Sequence, residues 1–133
     1  MTGARPGRRQ VHPQRSDGRR ALGASGEAAV ARWYEADGYE VVDRNWRCRD
    51  GELDLVLAAP GVVVFCEVKT RRGRAFGSPF EAVTTAKQRR IRRLAVRWLA
   101  DHDVRARTIR FDVASVLHER GHALVVDVIE NAF

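Results

Sequence analysis

The chain predicts an α/β fold, a mixed five-stranded sheet flanked by helices, and three observations predict it. Leu53, Leu55 and Leu57 alternate with Glu52 and Asp54, the period of a strand with one apolar face. Val62 to Thr70 is instead apolar almost throughout, as expected of a central strand buried on both faces. Ile91, Leu94, Ala95, Trp98 and Leu99 recur at helical spacing. With the flanking patterns the order becomes helix, three strands, helix, two strands, which is an α/β layer arrangement.

Residues 1–19 hold almost no large apolar side chain, so they predict a mobile basic arm ahead of a domain over 20–133. From Leu22, the apolar residues Leu22, Ala29, Trp33 and Ala36 predict a helix that Gly38 ends. Tyr39 to Trp46 and Gly51 to Ala58 read as strands, and Pro60-Gly61 as the turn before the central strand. Arg71 to Pro79 is a polar loop. Thr85 and Gln88 stand at capping-box spacing for the second helix, with Ser78 and Glu81 as an earlier start. Thr108 to Leu117 and Ala123 to Ile129 are two further strands joined through Glu119-Arg120-Gly121.

Composition narrows the function classes. No segment approaches the roughly 20 apolar residues of a membrane helix, and no apolar core follows the basic N-terminus as in a signal peptide. Cys48 and Cys66 lack metal or redox spacing, so a reducing cytoplasm is the expected setting. The net charge is +7, and residues 1–20 hold six arginines against Asp17. That footprint fits a polyanionic partner or a solubilising basic tail.

Twenty-two of the 24 basic residues are arginine, and the two lysines are Lys69 and Lys87. A lysine kept in such a chain marks a place for a compact, pKa-responsive ammonium rather than a planar fork. Lys69 lies in Glu67-Val68-Lys69. If Ala59 pairs with Val62 across the turn, paired residue numbers sum to 121, Asp54 faces Glu67, and Glu52 faces Lys69. This register also places Leu53, Leu55 and Leu57 with Val64, Cys66 and Val68. Two opposed carboxylates repel unless a proton or cation lies between them, and Mg²⁺ (or Mn²⁺) is the economical cation. Lys69 would then hold or help deprotonate an attacking water. The ordinary alternative is a solvated strand face with salt bridges. Glu27, in line with Val30 and Tyr34, reads either as a group facing the same sheet or as an ordinary surface glutamate.

The second helix carries Lys87, Arg89, Arg90, Arg92, Arg93 and Arg97 with no acid from Ala82 to Ala100, a one-sign face suited to phosphates. Lys87 opens this helix and approaches the site. His118 and His122 read as loop residues, Arg110 and Asp112 as a structural pair, and Trp33, Trp46 and Trp98 as core.

Gly26-Glu27, Gly51-Glu52-Leu53-Asp54-Leu55, Phe65-Cys66-Glu67-Val68-Lys69-Thr70-Arg71, Phe76-Gly77, Ala82-Val83, Lys87, Phe111-Asp112-Val113 and Asn131-Ala132-Phe133 together resemble the YraN-like family of small bacterial proteins. The resemblance runs from about Leu22 to Phe133. It implies a restriction-endonuclease-like three-layer core within the PD-(D/E)xK nuclease superfamily. Asp54, Glu67 and Lys69 fall on that superfamily's catalytic Asp, Glu and Lys, and Glu27 on a first-helix glutamate that several members use near the metal. Leu53 stands where the motif has proline. The implied metal ligands are Asp54, Glu67 and the Val68 carbonyl, completed by Glu27 or Glu52; the nucleic-acid contacts expected from the basic residues themselves are Lys87, Arg89, Arg90, Arg93, Arg71 and Arg72.

Two function classes follow. One is a Mg²⁺-dependent endonuclease acting on DNA rather than RNA, with branched or damaged DNA as the leading substrate by analogy with Holliday-junction resolvases. The other is a nucleic-acid-binding module that keeps the fold without turnover. Monomer and homodimer are both open.

Overall fold

The computed structural model describes residues 15–73 and 83–133, with side chains of the first helix described from Leu22 onward. In chain order the elements are α1 (Arg15–Ala36), β1 (Glu40–Cys48), β2 (Gly51–Ala59), β3 (Val62–Arg72), α2 (Thr85–His102), β4 (Thr108–His118) and β5 (Val125–Ile129). The five strands form one sheet in sequence order. All neighbours are antiparallel except β3 and β4, which run parallel because α2 carries the chain back between them. Among the described residues, no helix is long and apolar enough to cross a membrane.

Local chemistry sets the boundaries. α1 ends in a Schellman arrangement: Tyr39 N–H donates to Tyr34 C=O, Gly38 N–H donates to Glu35 C=O, and Gly38 takes φ 89°. The β2–β3 turn is the two-residue Pro60-Gly61, and Ala59 pairs with Val62 in the expected register. The Gly61 carbonyl accepts from Arg107 N–H and Thr108 N–H, which ties the start of β4 to this hairpin.

Several boundaries differ from expectation. α1 begins at Arg15, so residues 15–19 are helical where a mobile arm was expected; once a helix is nucleated, each added residue contributes a hydrogen bond. β3 runs through Arg72 because β4 pairs with it along its whole length. The cap of α2 is Thr84, whose Oγ1 accepts from Lys87 N–H at 3.1 Å, and Gln88 donates to the Val83 carbonyl. Residues 1–14, the alternative start at Ser78 and Glu81, and the Phe76-Gly77 and Ala82 positions lie outside the described residues.

The sheet is the middle of three layers. Val30, Ala31 and Tyr34 of α1 pack on Leu55, Leu57, Val64, Cys66, Ala114 and Val116. Ile91, Leu94, Ala95 and Trp98 of α2 pack on Leu53, Val56, Val63, Phe65 and Phe111 from the other side. β3 thus supplies both cores with alternate residues, as its continuous apolar run predicts. The α1 stripe is corrected: Trp33 and Ala36 are exposed, and the buried line is the one Glu27 shares with Val30 and Tyr34. Tyr34 directs it, because its hydroxyl donates to buried Asp112 Oδ2 at 2.6 Å. Asp112 also accepts from Asn131 N–H and from two Arg110 nitrogens, each at 2.9 Å, so Arg110 and Asp112 are the expected structural pair.

α1 meets β3 most closely at Gly26, where an added Cβ would collide with the Thr70 side chain. This contact fixes the height of Glu27, one residue along, above the sheet. Gly26→Ala should therefore destabilise by about 1–3 kcal/mol through overpacking, despite alanine's helix preference of about 1 kcal/mol. Gly23 has nothing within 4 Å of its added Cβ. Gly23→Ala should be neutral or stabilising in the same urea titration, and equal effects at both positions would contradict the close approach.

Candidate functional site

The site forms where the sheet forks. The β2–β3 ladder runs from Ala59 and Val62 to Leu55 and Cys66 and stops there. Beyond it β2 stays paired to β1 as far as Gly51, while β3 stays paired to β4 as far as Arg72. Asp54 is the first residue past the last pair. Its Oδ2 accepts the Val68 N–H at 2.8 Å, so a side chain satisfies the backbone donor there.

Strand alternation breaks at the same residue. Leu53 belongs to the α2 core and Leu55 to the α1 core, although residues two apart in a regular strand share a face. The expected grouping of Leu53 with Leu55 and Leu57 is thereby corrected. Across β1, Asn45 lies between the pairs Arg44–Leu55 and Trp46–Leu53 and takes φ 49°, in the left-handed region that Asn tolerates better than most residues. The local twist frees Asp54 from either core.

Glu67 is buried and lies close enough to Asp54 across the fork to act on its ionisation. Two cations reach it. Lys87 Nζ lies 2.6 Å and Lys69 Nζ 3.4 Å from Glu67 Oε2. Asp54 is raised to about 7, first by burial and then by the charge of Glu67, against the opposing Val68 hydrogen bond. Lys69 is lowered by burial and by the neighbouring Lys87, against the pull of Glu67. Burial is the largest single influence on Lys87 and disfavours its charge, but the bond and charge of Glu67 together with its other neighbours, Asp54 among them, raise it overall.

Glu27 approaches from α1. Burial and the charges of Glu52 and Glu67 raise its pKa, while a hydrogen bond with Asn45 and the charge of Arg44 oppose the rise. With Leu22, Gly23, Val68, Lys69 and Thr70 it lines an open cleft of about 360 Å³ beside the fork. Glu52 does not face Lys69, because the ladder has ended. It sits opposite Arg47 of β1 and accepts from its Nε at 2.7 Å.

The basic positions divide by surroundings. Arg89, Arg90 and Arg93 are exposed on α2, as is Arg72 at the end of β3, while Arg71 is half-buried. Arg92 lies over the Phe111 and Phe133 rings, and Arg97 is near Asp50 and Asp101. Trp98 is buried and donates to Asp43 Oδ2 at 2.8 Å, Trp46 is half-buried, and Trp33 is exposed. His118 ends β4 and His122 follows in the turn. Sequence reasoning placed Lys87 near the site without its direct contact to Glu67, and it missed Asn45. The one available signal for Asn45 was a turn-forming residue inside a strand.

The donor set fits a hard divalent cation. Half-buried Asp54 and buried Glu67 are opposed and mutually repelling, which a cation relieves. Among the described residues no three His, Cys, Asp or Glu side chains converge on one point, so a backbone oxygen such as the Val68 carbonyl and water would complete the shell.

The same repulsion gives a stability signature. Asp54 binds its proton more tightly folded than unfolded, so its contribution is full below about pH 4 and is lost as pH rises through about 7. Asp54→Asn keeps an oxygen for the Val68 N–H and removes that slope. Urea unfolding in EDTA should show the native protein losing on the order of 3–4 kcal/mol relative to Asp54→Asn between these limits. Parallel pH profiles would show that Asp54 is not raised.

Comparison with known proteins places the chain. Residues 26–116 match the model of the uncharacterised protein family UPF0102, a span that includes Glu27, Asp54, Glu67, Lys69 and Lys87. A UPF0102 protein of Beutenbergia cavernae is 58% identical over 107 residues, covering 80% of this chain and 91% of that protein. A UPF0102 protein of Nocardia farcinica is 53% identical over 115 residues, covering 86% of this chain and 91% of that protein. With its fork, its three layers and this similarity along most of its length, the chain belongs to the UPF0102, or YraN-like, family.

Proposed function

We propose that this protein is a divalent-cation-dependent endonuclease that hydrolyses phosphodiester bonds of DNA, with branched or damaged duplexes as the leading substrate class. The observation that carries the reading is half-buried Asp54 set against buried Glu67 at the sheet fork, with Lys69 on the Glu67 carboxylate. Asp54, Glu67 and the Val68 carbonyl would hold Mg²⁺ or Mn²⁺, with Glu27 acting through water. Such a cation supplies Lewis-acid stabilisation of the charge that develops on phosphate oxygens.

The chain's own residues do the rest. Glu67 holds the Lys69 ammonium at the mouth of the cleft, where burial favours its neutral form. Lys69 there orients a water and accepts part of its proton as the water oxygen bonds to phosphorus and the ester oxygen leaves. The Val68 N–H fixes Asp54, so little reorganisation is needed when charge develops. Exposed Arg89, Arg90, Arg93 and Arg72 supply the salt-sensitive backbone contacts that bring DNA to the fork.

One observation favours a second reading, a nucleic-acid-binding module without turnover. The 2.6 Å Lys87–Glu67 ion pair already neutralises one of the two carboxylates. This module would bind DNA equally in EDTA and in Mg²⁺ and cleave nothing.

A cleavage screen of linear, branched and single-stranded substrates with Mg²⁺ or Mn²⁺ separates the two. In the enzyme, Lys69→Ala should lower the rate by about 10²–10⁴ with substrate binding near normal. Lys69→Arg should be similarly poor, since the guanidinium stays charged and needs more room. Full activity in Lys69→Arg would defeat the water-activating role.

A further inference from the structure

Both lysines of this arginine-rich chain end on one oxygen. Lys69 from β3 and Lys87 from the first turn of α2 reach Glu67 Oε2, and the α2 contact is the shorter at 2.6 against 3.4 Å. The two ammonium groups thus share one acceptor, and the charge of Lys87 disfavours that of Lys69. Like charges so placed repel and need a strong reason to meet.

Lys87 also runs against its own helix. It is the third residue of α2, where the exposed N–H dipoles favour an acid and a capping box would place Glu or Gln. The first turn of α2 contains no acidic residue to offset it. Nor does the helix need another cation, because Arg89, Arg90, Arg92 and Arg93 already give it a basic, solvent-facing surface. A residue that breaks a local preference while meeting a buried carboxylate points to a functional position.

The number of free oxygens then decides the role. Asp54 Oδ2 is committed to Val68 N–H, and Glu67 Oε2 is held by both lysines. Resting on the nuclease reading above, we infer that Lys87 is a displaceable counter-ion: it competes with the divalent cation for Glu67, and once displaced carries its charge to the scissile phosphate. A lysine suits this exchange. Its ammonium is compact and its flexible four-carbon stem can move between two anionic partners, whereas an arginine fork is made for one planar partner. Lys87 thereby couples occupancy of the carboxylate pair to capture of the phosphate.

The test measures binding, apart from turnover. Mn²⁺ affinity is measured by calorimetry on the full chain at one fixed pH for the native protein, Lys87→Met, Lys87→Arg and Asp54→Asn. Affinity for duplex DNA is measured alongside in Ca²⁺. Lys87→Met should bind Mn²⁺ about tenfold tighter, the equivalent of one lost ion pair, while binding DNA in Ca²⁺ several-fold more weakly. Lys87→Arg keeps the charge and should keep the native Mn²⁺ affinity.

Mn²⁺ binding that Asp54→Asn abolishes but Lys87→Met leaves unchanged or weakens would overturn the counter-ion role and leave the nuclease reading intact. Equal tightening in Lys87→Met and Lys87→Arg would also overturn it, since charge would then not be the cause. If neither the native protein nor Lys87→Met binds Mn²⁺, the metal reading and this inference fall together.

Discussion

A single carboxylate holding a strand's amide in place of the next strand's carbonyl organises this molecule. Where β2 leaves β3, the Val68 N–H would be left without its ladder partner, and Asp54 supplies the acceptor at 2.8 Å. A half-buried unpaired amide costs roughly 1–3 kcal/mol, so the fork depends on this bond. The bond has an electrostatic consequence. It holds Asp54 against Glu67, and the pair stays partly protonated or must find a cation.

The layers on either side deliver the remaining groups to that fork. Close contact between Gly26 and Thr70 sets α1 low over β3 and brings Glu27 to the cleft. The Thr84 cap fixes the first turn of α2 and brings Lys87 over Glu67 from the opposite face. On the far side of the α1 core, Asp112 gathers Tyr34, Arg110 and Asn131, so α1 is anchored by a buried polar contact as well as by apolar packing. Glu27 and Lys87 therefore join the carboxylates and Lys69 of the sheet only when both helices are docked.

Much of this was legible in the sequence, for physical reasons. The order of helices and strands along the chain followed from a period-two segment, a continuous apolar strand and a 3.6-period helix. The hairpin register followed because a one-residue slip would have turned apolar residues outward. The placement of Asp54 and Glu67 came from that register, and the family resemblance agreed with it. What stayed hidden was the departure from regular geometry. Alternation written as Leu53, Leu55, Leu57 does not reveal that the strand twists at Asp54 and sends Leu53 to the opposite core. Trp33 and Ala36 fit a helical stripe as well as Val30 and Tyr34 do. The choice between those stripes was made by the partner of the Tyr34 hydroxyl, Asp112, 78 residues away. The two lysines stood out by rarity, but their meeting on one oxygen required the tertiary fold.

The central claim is that the Asp54–Glu67 pair exists to receive a divalent cation. Anomalous diffraction at the manganese edge from crystals grown with Mn²⁺ tests it most directly. The account predicts one peak between the Asp54 and Glu67 carboxylates. Well-ordered crystals at saturating Mn²⁺ with no peak there would contradict it.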